Sequence, residues 1–172
     1  MPQPAALPDT PEPVAVDVLI EADGWAELPG AEAIAITAVR AALDALGADV
    51  PAPCEVSVTL TDDARIRVLN REWRSLDKPT NVLSFPLPDL PDDSDAPQPL
   101  GDIIVALETV RAEAAAEAKA AAHHLSHLVV HGTLHLMGYD HMNDDEAEEM
   151  EALERRILAG LGIDDPYALP QD

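Results

Sequence analysis

The chain has 172 residues, 33 acidic against 10 basic, for a net charge of −23, and 47% of its residues are hydrophobic. That length suits one domain with a real core, and the charge at face value argues against nucleic acid or an anionic membrane as a partner. The single cysteine, Cys54, excludes an intramolecular disulfide, and neither a secretory leader nor an apolar run of membrane-spanning length is visible, so a cytoplasmic protein with no membrane partner is expected.

Residues 1–13 contain five prolines and are expected to be disordered. Val14 to Ile20 is β-branched and partly alternating and predicts a strand. After a connection from Glu21 to Gly30, apolar residues at helical spacing predict a helix from Ala31 to Leu46, stopped at Gly47. Glu55 to Leu60 alternates polar and apolar, as a strand with one covered face does. Thr61 is read as the cap of the next helix, with Asp62 and Asp63 in its first turn. That helix carries Ile66, Leu69, Asn70 and Trp73, and it lines up Arg67, Arg71 and Arg74 on one side. Five of the ten basic residues, Arg65, Arg67, Arg71, Arg74 and Lys78, fall in this short stretch, so the scarce positive charge is concentrated. A solvated face paired with nearby acids is the competing reading for each arginine taken singly.

Asp77-Lys78-Pro79-Thr80-Asn81 is a turn by composition, and Val82 to Phe85 a short strand ended by Pro86. Pro86 to Pro99 reads as a flexible acidic loop. Gly101 to Ala106 is the last strand, its continuous apolar run predicting a central position with Asp102 at the sheet edge. Leu107 to Ala122 is helical by propensity, and His123-His124 either interrupt it before a second helix from His127 to Met137 or let the two run on with a kink. Asn143 caps a final helix that starts with Asp144-Asp145-Glu146 and presents Met150, Leu153, Ile157, Leu158 and Leu161 to the core. The four strands and their helices make this an α/β chain. Residues 168–172 are a tail, and no repeat is visible.

The chemistry gathers in His131-Gly132-Thr133-Leu134-His135-Leu136-Met137-Gly138-Tyr139-Asp140-His141. His131 and His135 share one helix face, and a turn at Gly138 brings His141 towards the same point. Three neutral imidazoles around one centre suit Zn2+, with a fourth position open to water or substrate. The spacing is that of the metzincin proteases, H-E-x-x-H-x-x-G-x-x-H, but their general base is replaced by Gly132. His127, one turn earlier, is read as an outer neighbour rather than a fourth ligand.

This motif, together with Asp77-Lys78-Pro79-Thr80-Asn81-Val82-Leu83-Ser84-Phe85, resembles the YbeY family. Gly101-Asp102-Ile103 and the helix beginning Asp145-Glu146-Ala147-Glu148-Glu149-Met150 are similar to it as well. The resemblance spans about residues 55 to 167 and is loose over the first forty or so. It implies a single metal-dependent hydrolase domain at residues 14–167, α/β (α+β) with a small mixed four-stranded sheet, surrounding helices and the zinc site on a central helix. It implies one zinc ion held by His131, His135 and His141, and a functional arginine that maps onto Arg74. The family commonly has Gly after that arginine, where this chain has Ser75. The implied activity is a single-strand-type endoribonuclease in ribosomal RNA maturation and ribosome quality control, with ribosomal RNA and the small ribosomal subunit and its proteins as partners. Two other readings are a zinc-stabilised ribosome assembly factor without turnover and a zinc peptidase. Asp102 is a candidate to orient a ligand histidine.

Overall fold

The computed structural model describes residues 13–91 and 95–168. Among them the order is β1 (Val14–Ile20), α1 (Ala31–Leu46), β2 (Cys54–Thr61), α2 (Asp63–Arg74), β3 (Val82–Pro86), β4 (Gln98–Ala106), α3 (Leu107–Ala116), α4 (Ala121–Leu136) and α5 (Asp144–Gly160). The expected N-terminal disorder and the C-terminal tail lie outside the described residues, apart from Pro13 and Ala168.

The strands form one sheet in the order β1-β2-β4-β3, with β1–β2 and β2–β4 parallel and β3–β4 antiparallel. This is the mixed four-stranded sheet of a single α/β domain. Alternation along the strands divides the core in two. Val56, Val58 and Leu60 of β2 and Ile103 and Val105 of β4 face α1 and α4, whereas Leu83 of β3 and Ala106 of β4 pack with Ile66 of α2. Burial of each large aliphatic side chain contributes about 1.5–3 kcal/mol, so α4 is held firmly on the sheet through Leu125, Val129 and Leu134.

Several boundaries differ from the sequence reading, each for a physical reason. Thr61 ends β2 with a buried side chain, and the cap of α2 is Asp62, whose carboxylate accepts from Arg65 N at 2.9 Å. Strand β4 starts at Gln98, inside the expected loop. Cys54 and Glu55 of β2 pair with Gln98 and Pro99, and the Gln98 side chain fastens the incoming chain by accepting from Leu90 N at 2.7 Å. The segment 21–30 is partly ordered as a 3-10 turn that buries Trp25, whose indole N–H donates to Thr61 O at 2.8 Å. The predicted helix through Ala122 is broken after Ala116 by the four residues 117–120, and His123-His124 belong to the start of α4. Alanine carries no stop signal. The break at Ala118 (φ 55°) follows from packing, because α3 buries Leu107, Val110 and Ala114 on one axis while α4 must lie along the sheet on another.

Ser75 closes α2 in the left-handed region (φ 59°, ψ 29°). That conformation costs an L-residue about 1–2 kcal/mol and glycine little. Ser75→Gly is expected to stabilise the fold by about 0.5–1 kcal/mol after glycine's extra chain entropy, raising the thermal midpoint by about 2 °C in a melting curve.

Candidate metal centre and its cleft

From His124 to Leu136 every residue of α4 is buried except His127, His131 and His135. These stand at i, i+4 and i+8, so a helix sunk on nearly all sides opens along a single stripe of imidazoles. Gly132 faces the sheet. A Cβ there would lie 3.0 Å from both Ile103 Cγ2 and Ser84 Oγ, and Ser84 Oγ donates to the Gly132 carbonyl at 3.3 Å. The glycine is what lets α4 approach β3 and β4. A glutamate at this position would be driven into the sheet, which removes the protease base on steric grounds.

After α4 the chain reverses at Gly138 (φ 95°) and His141 returns to the helix. Its ring centroid lies 5.8 Å from that of His131 and 5.2 Å from that of His135, and one ring nitrogen from each of the three histidines falls within 4.8 Å of the others. His127 stays outside this trio.

The hydrogen bonds behind the rings fix what the trio offers. His135 Nδ1–H donates to the Tyr139 carbonyl at 2.8 Å, an oxygen that can only accept. His131 Nδ1–H donates to Glu154 Oε1 at 2.7 Å. In the neutral rings both Nε2 atoms then carry lone pairs, and they face each other at 3.0 Å. Two acceptors at that distance repel unless a cation lies between them. Two donors of a tetrahedral zinc site with bonds of about 2.0–2.1 Å stand roughly 3.3 Å apart, so the donor set fits a metal ion. Burial, followed by the neighbouring His131, lowers the pKa of His135 and favours the neutral imidazole that a metal requires.

Glu154 is fully buried in α5. Burial alone would raise its pKa, but hydrogen bonds from His127, His131 and Tyr167 outweigh it and bring the carboxyl down to about 2. The group is a carboxylate that accepts on both oxygens. Tyr167 Oη–H donates to Oε2 at 2.6 Å, and His127 Nε2 lies 3.2 Å from Oε1. Burial and that carboxylate hold the Tyr167 phenol well above its ordinary pKa. Sequence reading passed over both residues. Glu154 nevertheless left a signal, since it lies on the buried seam of α5 with Met150 and Ile157, where an acid needs partners.

Asp102 does not take the orienting role expected of it. Strand β4 is central, and Asp102 sits between Ser57 of β2 and Phe85 of β3. Alternation puts it with Ile104 and Ala106, on the face turned away from α4.

The three histidines open onto a cleft of about 700 Å³ whose opposite wall carries Trp73, Arg74, Asn81 and Phe85. This wall is tied down at several points. Arg67 Nε donates to Asp77 Oδ1 at 2.9 Å, Asn70 Nδ2 to the Lys78 carbonyl at 2.9 Å, and Asn81 Nδ2 to Glu113 Oε1 at 3.0 Å. The Arg67 hydrogen bond also lowers the pKa of Asp77. Of the arginine stripe, Arg67 is thus engaged with Asp77, as the solvated-face reading has it. Arg74, exposed, is the one that lines the cleft. Trp73 is 70% exposed and meets Phe85 edge-on at 6.1 Å between centroids.

The fold and these convergent imidazoles define an α/β protein with a candidate metal centre in an open cleft. The sequence profile described as Endoribonuclease YbeY matches residues 27–162, and the chain belongs to that family. A protein named Endoribonuclease YbeY from Azorhizobium caulinodans is 71% identical over 91% of this chain and 98% of its own length. One of the same name from Bradyrhizobium diazoefficiens is 59% identical over 88% and 84%. The solution structure of TM1509 from Thermotoga maritima shares the fold, with a TM-score of 0.51 at 24% identity over 90% of this chain and 99% of that one. No helix among the described residues is long and apolar enough to cross a membrane.

Proposed function

We propose that this chain is a zinc-dependent endoribonuclease that cuts single-stranded ribosomal RNA during its maturation. The observation that carries the proposal is the pair of Nε2 lone pairs locked face to face, with His141 beside them, across a cleft from Arg74. The names of the relatives support the reaction class.

His131, His135 and His141 would hold the ion, and bound zinc would supply Lewis-acid stabilisation of phosphoryl charge and an acidified water near neutral pH. The chain's own residues do the rest. Arg74 grips the phosphate through two parallel N–H donors and meets the charge that grows on it. Asp77 and Asn70 hold the wall that carries Arg74 in place. Trp73 offers an exposed aromatic face beside Arg74, on which an unpaired base can stack. A base inside a duplex has no free face, so this wall favours single strands.

Stacking on an aromatic side chain is worth about 1–3 kcal/mol per base. Trp73→Ala is therefore expected to raise KM for a single-stranded oligonucleotide about 5-fold to 150-fold, with kcat changed much less, in steady-state cleavage assays. An equal fall in kcat with KM constant would contradict the stacking role.

The acidic surface is the one feature that favours an assembly factor, since a net charge of −23 suits basic ribosomal proteins better than naked RNA. One experiment separates the readings. Protein purified free of trace nuclease is given defined ribosomal RNA fragments, with chelator and with zinc restored. Cleavage that is lost and regained supports the proposal, and no cleavage under any condition favours the assembly factor. A casein assay under the same conditions is expected to show nothing, because Gly132 can accept no proton.

A further inference from the structure

The turn after α5 is fastened from several sides. Arg155 Nε donates to Asp165 Oδ1 at 3.2 Å, and its guanidinium lies 5.4 Å from the Tyr167 ring centroid. Tyr167 N donates to the same Asp165 oxygen at 2.8 Å, and Lys119 Nζ, from the connection between α3 and α4, donates to the Pro166 carbonyl at 3.3 Å. The effect is to deliver one phenol to one carboxylate. Tyr167 Oη occupies Glu154 Oε2 at 2.6 Å, which leaves Oε1 for His131 and His127.

Glue between helices is a poor explanation of this arrangement. A buried charged network is often no more stabilising than well-packed apolar side chains of similar volume. The surrounding space suggests another purpose. Two cavities, of about 490 and 270 Å³, are both lined by His131 and by Tyr167. The space behind His131 is thus open, and what fixes the ring there is the Glu154–Tyr167 pair. Without the phenol, Glu154 has a buried oxygen with no partner and is free to turn, and the imidazole it holds turns with it.

We propose that Glu154 and Tyr167 are positioning residues that hold His131 in the tautomer and orientation aiming its Nε2 lone pair at the metal position, so that the C-terminal turn sets metal affinity without supplying a ligand. The inference rests on the metal reading given above and goes one layer outward from it. Outer partners of this kind are typically worth about 10-fold to 100-fold in metal affinity.

The test uses the full chain and two readouts: zinc affinity by competition with a chelator, and the ring 15N shifts of His131 in metal-free protein. Glu154→Gln is expected to weaken zinc binding about 10-fold to 100-fold and Tyr167→Phe about 10-fold, and both give mixed His131 tautomers. Val39→Ala, in the fully buried core of α1, serves as the control; it lowers the thermal midpoint and leaves both readouts unchanged. Zinc binding within twofold of wild type in both site variants overturns the proposal, as does an equal loss in Val39→Ala. If wild type binds no zinc, the metal reading itself fails, and the 15N shifts still decide whether Glu154 and Tyr167 lock the His131 ring.

Discussion

Replacing His135 with alanine is expected to remove the bound metal and, with it, RNA cleavage, while the fold survives. His135 is partly buried at the end of α4 and lines the cleft, so its loss opens no cavity in the core. It takes away one of three nitrogens and also the hydrogen bond to the Tyr139 carbonyl that steadies the Gly138 turn. Two imidazoles remain where three stood, and the reversal that brings His141 back is loosened. Losing a direct ligand costs more than losing an outer partner, so zinc affinity is expected to fall by more than about 100-fold. The charge stabilisation a metal supplies is several kcal/mol, and at about 4 kcal/mol its loss slows cleavage roughly 10³-fold. Metal content of the purified variant, measured beside its cleavage rate and its far-UV spectrum, checks all three parts. A metal-free variant that cuts RNA at the wild-type rate would falsify the zinc mechanism.

Arg74→Ala separates phosphate recognition from metal binding. Arg74 lies across the cleft from the histidines and is no part of the trio, so the variant is expected to keep its zinc. Removing one preorganised donor from a developing oxyanion typically costs about 10²–10³ in kcat, and that is the expected fall. Arg74→Lys restores a charge without the two parallel donors and is expected to recover only part of the loss. Unchanged turnover in Arg74→Ala would take the phosphate clamp away from this residue and leave the zinc centre untouched.

The convergence of the three histidines was legible because its signals are local. Helical spacing puts His131 and His135 on one face, and Gly138 marks the reversal that returns His141. Strand β3 and helices α1 and α5 were legible for the same reason, with Asn143 capping α5 by accepting from Glu146 N at 2.9 Å. What escaped depends on residues far apart in the chain. The break at Ala118 answers to packing, and no residue near it spells a stop. The exchange of Asp102 for Glu154 shows the limit most directly. Both are acids in apolar surroundings, and only the sheet order reveals that Asp102 looks away from α4 while α5 lays Glu154 behind His131. Tyr167 was harder still to foresee, because its role exists only through Glu154.

Ser75 carries a related lesson. A serine in the left-handed region at the end of α2 gives up stability at the point where the chain turns from Trp73 and Arg74 into the Asp77–Asn81 segment. The cleft wall is nonetheless held by Arg67, Asn70 and Asn81, so the strain at Ser75 does not have to be relieved for Arg74 to keep its place.

The proposed chemistry requires that three imidazoles hold one cation and leave it a free position. Diffraction from crystals of the zinc-loaded chain, recorded on both sides of the zinc absorption edge, tests it most directly. One anomalous peak is expected about 2.0–2.1 Å from a nitrogen of each of His131, His135 and His141, with solvent as the remaining neighbour. A peak elsewhere, or a fourth protein ligand closing the ion off from the cleft, would contradict it.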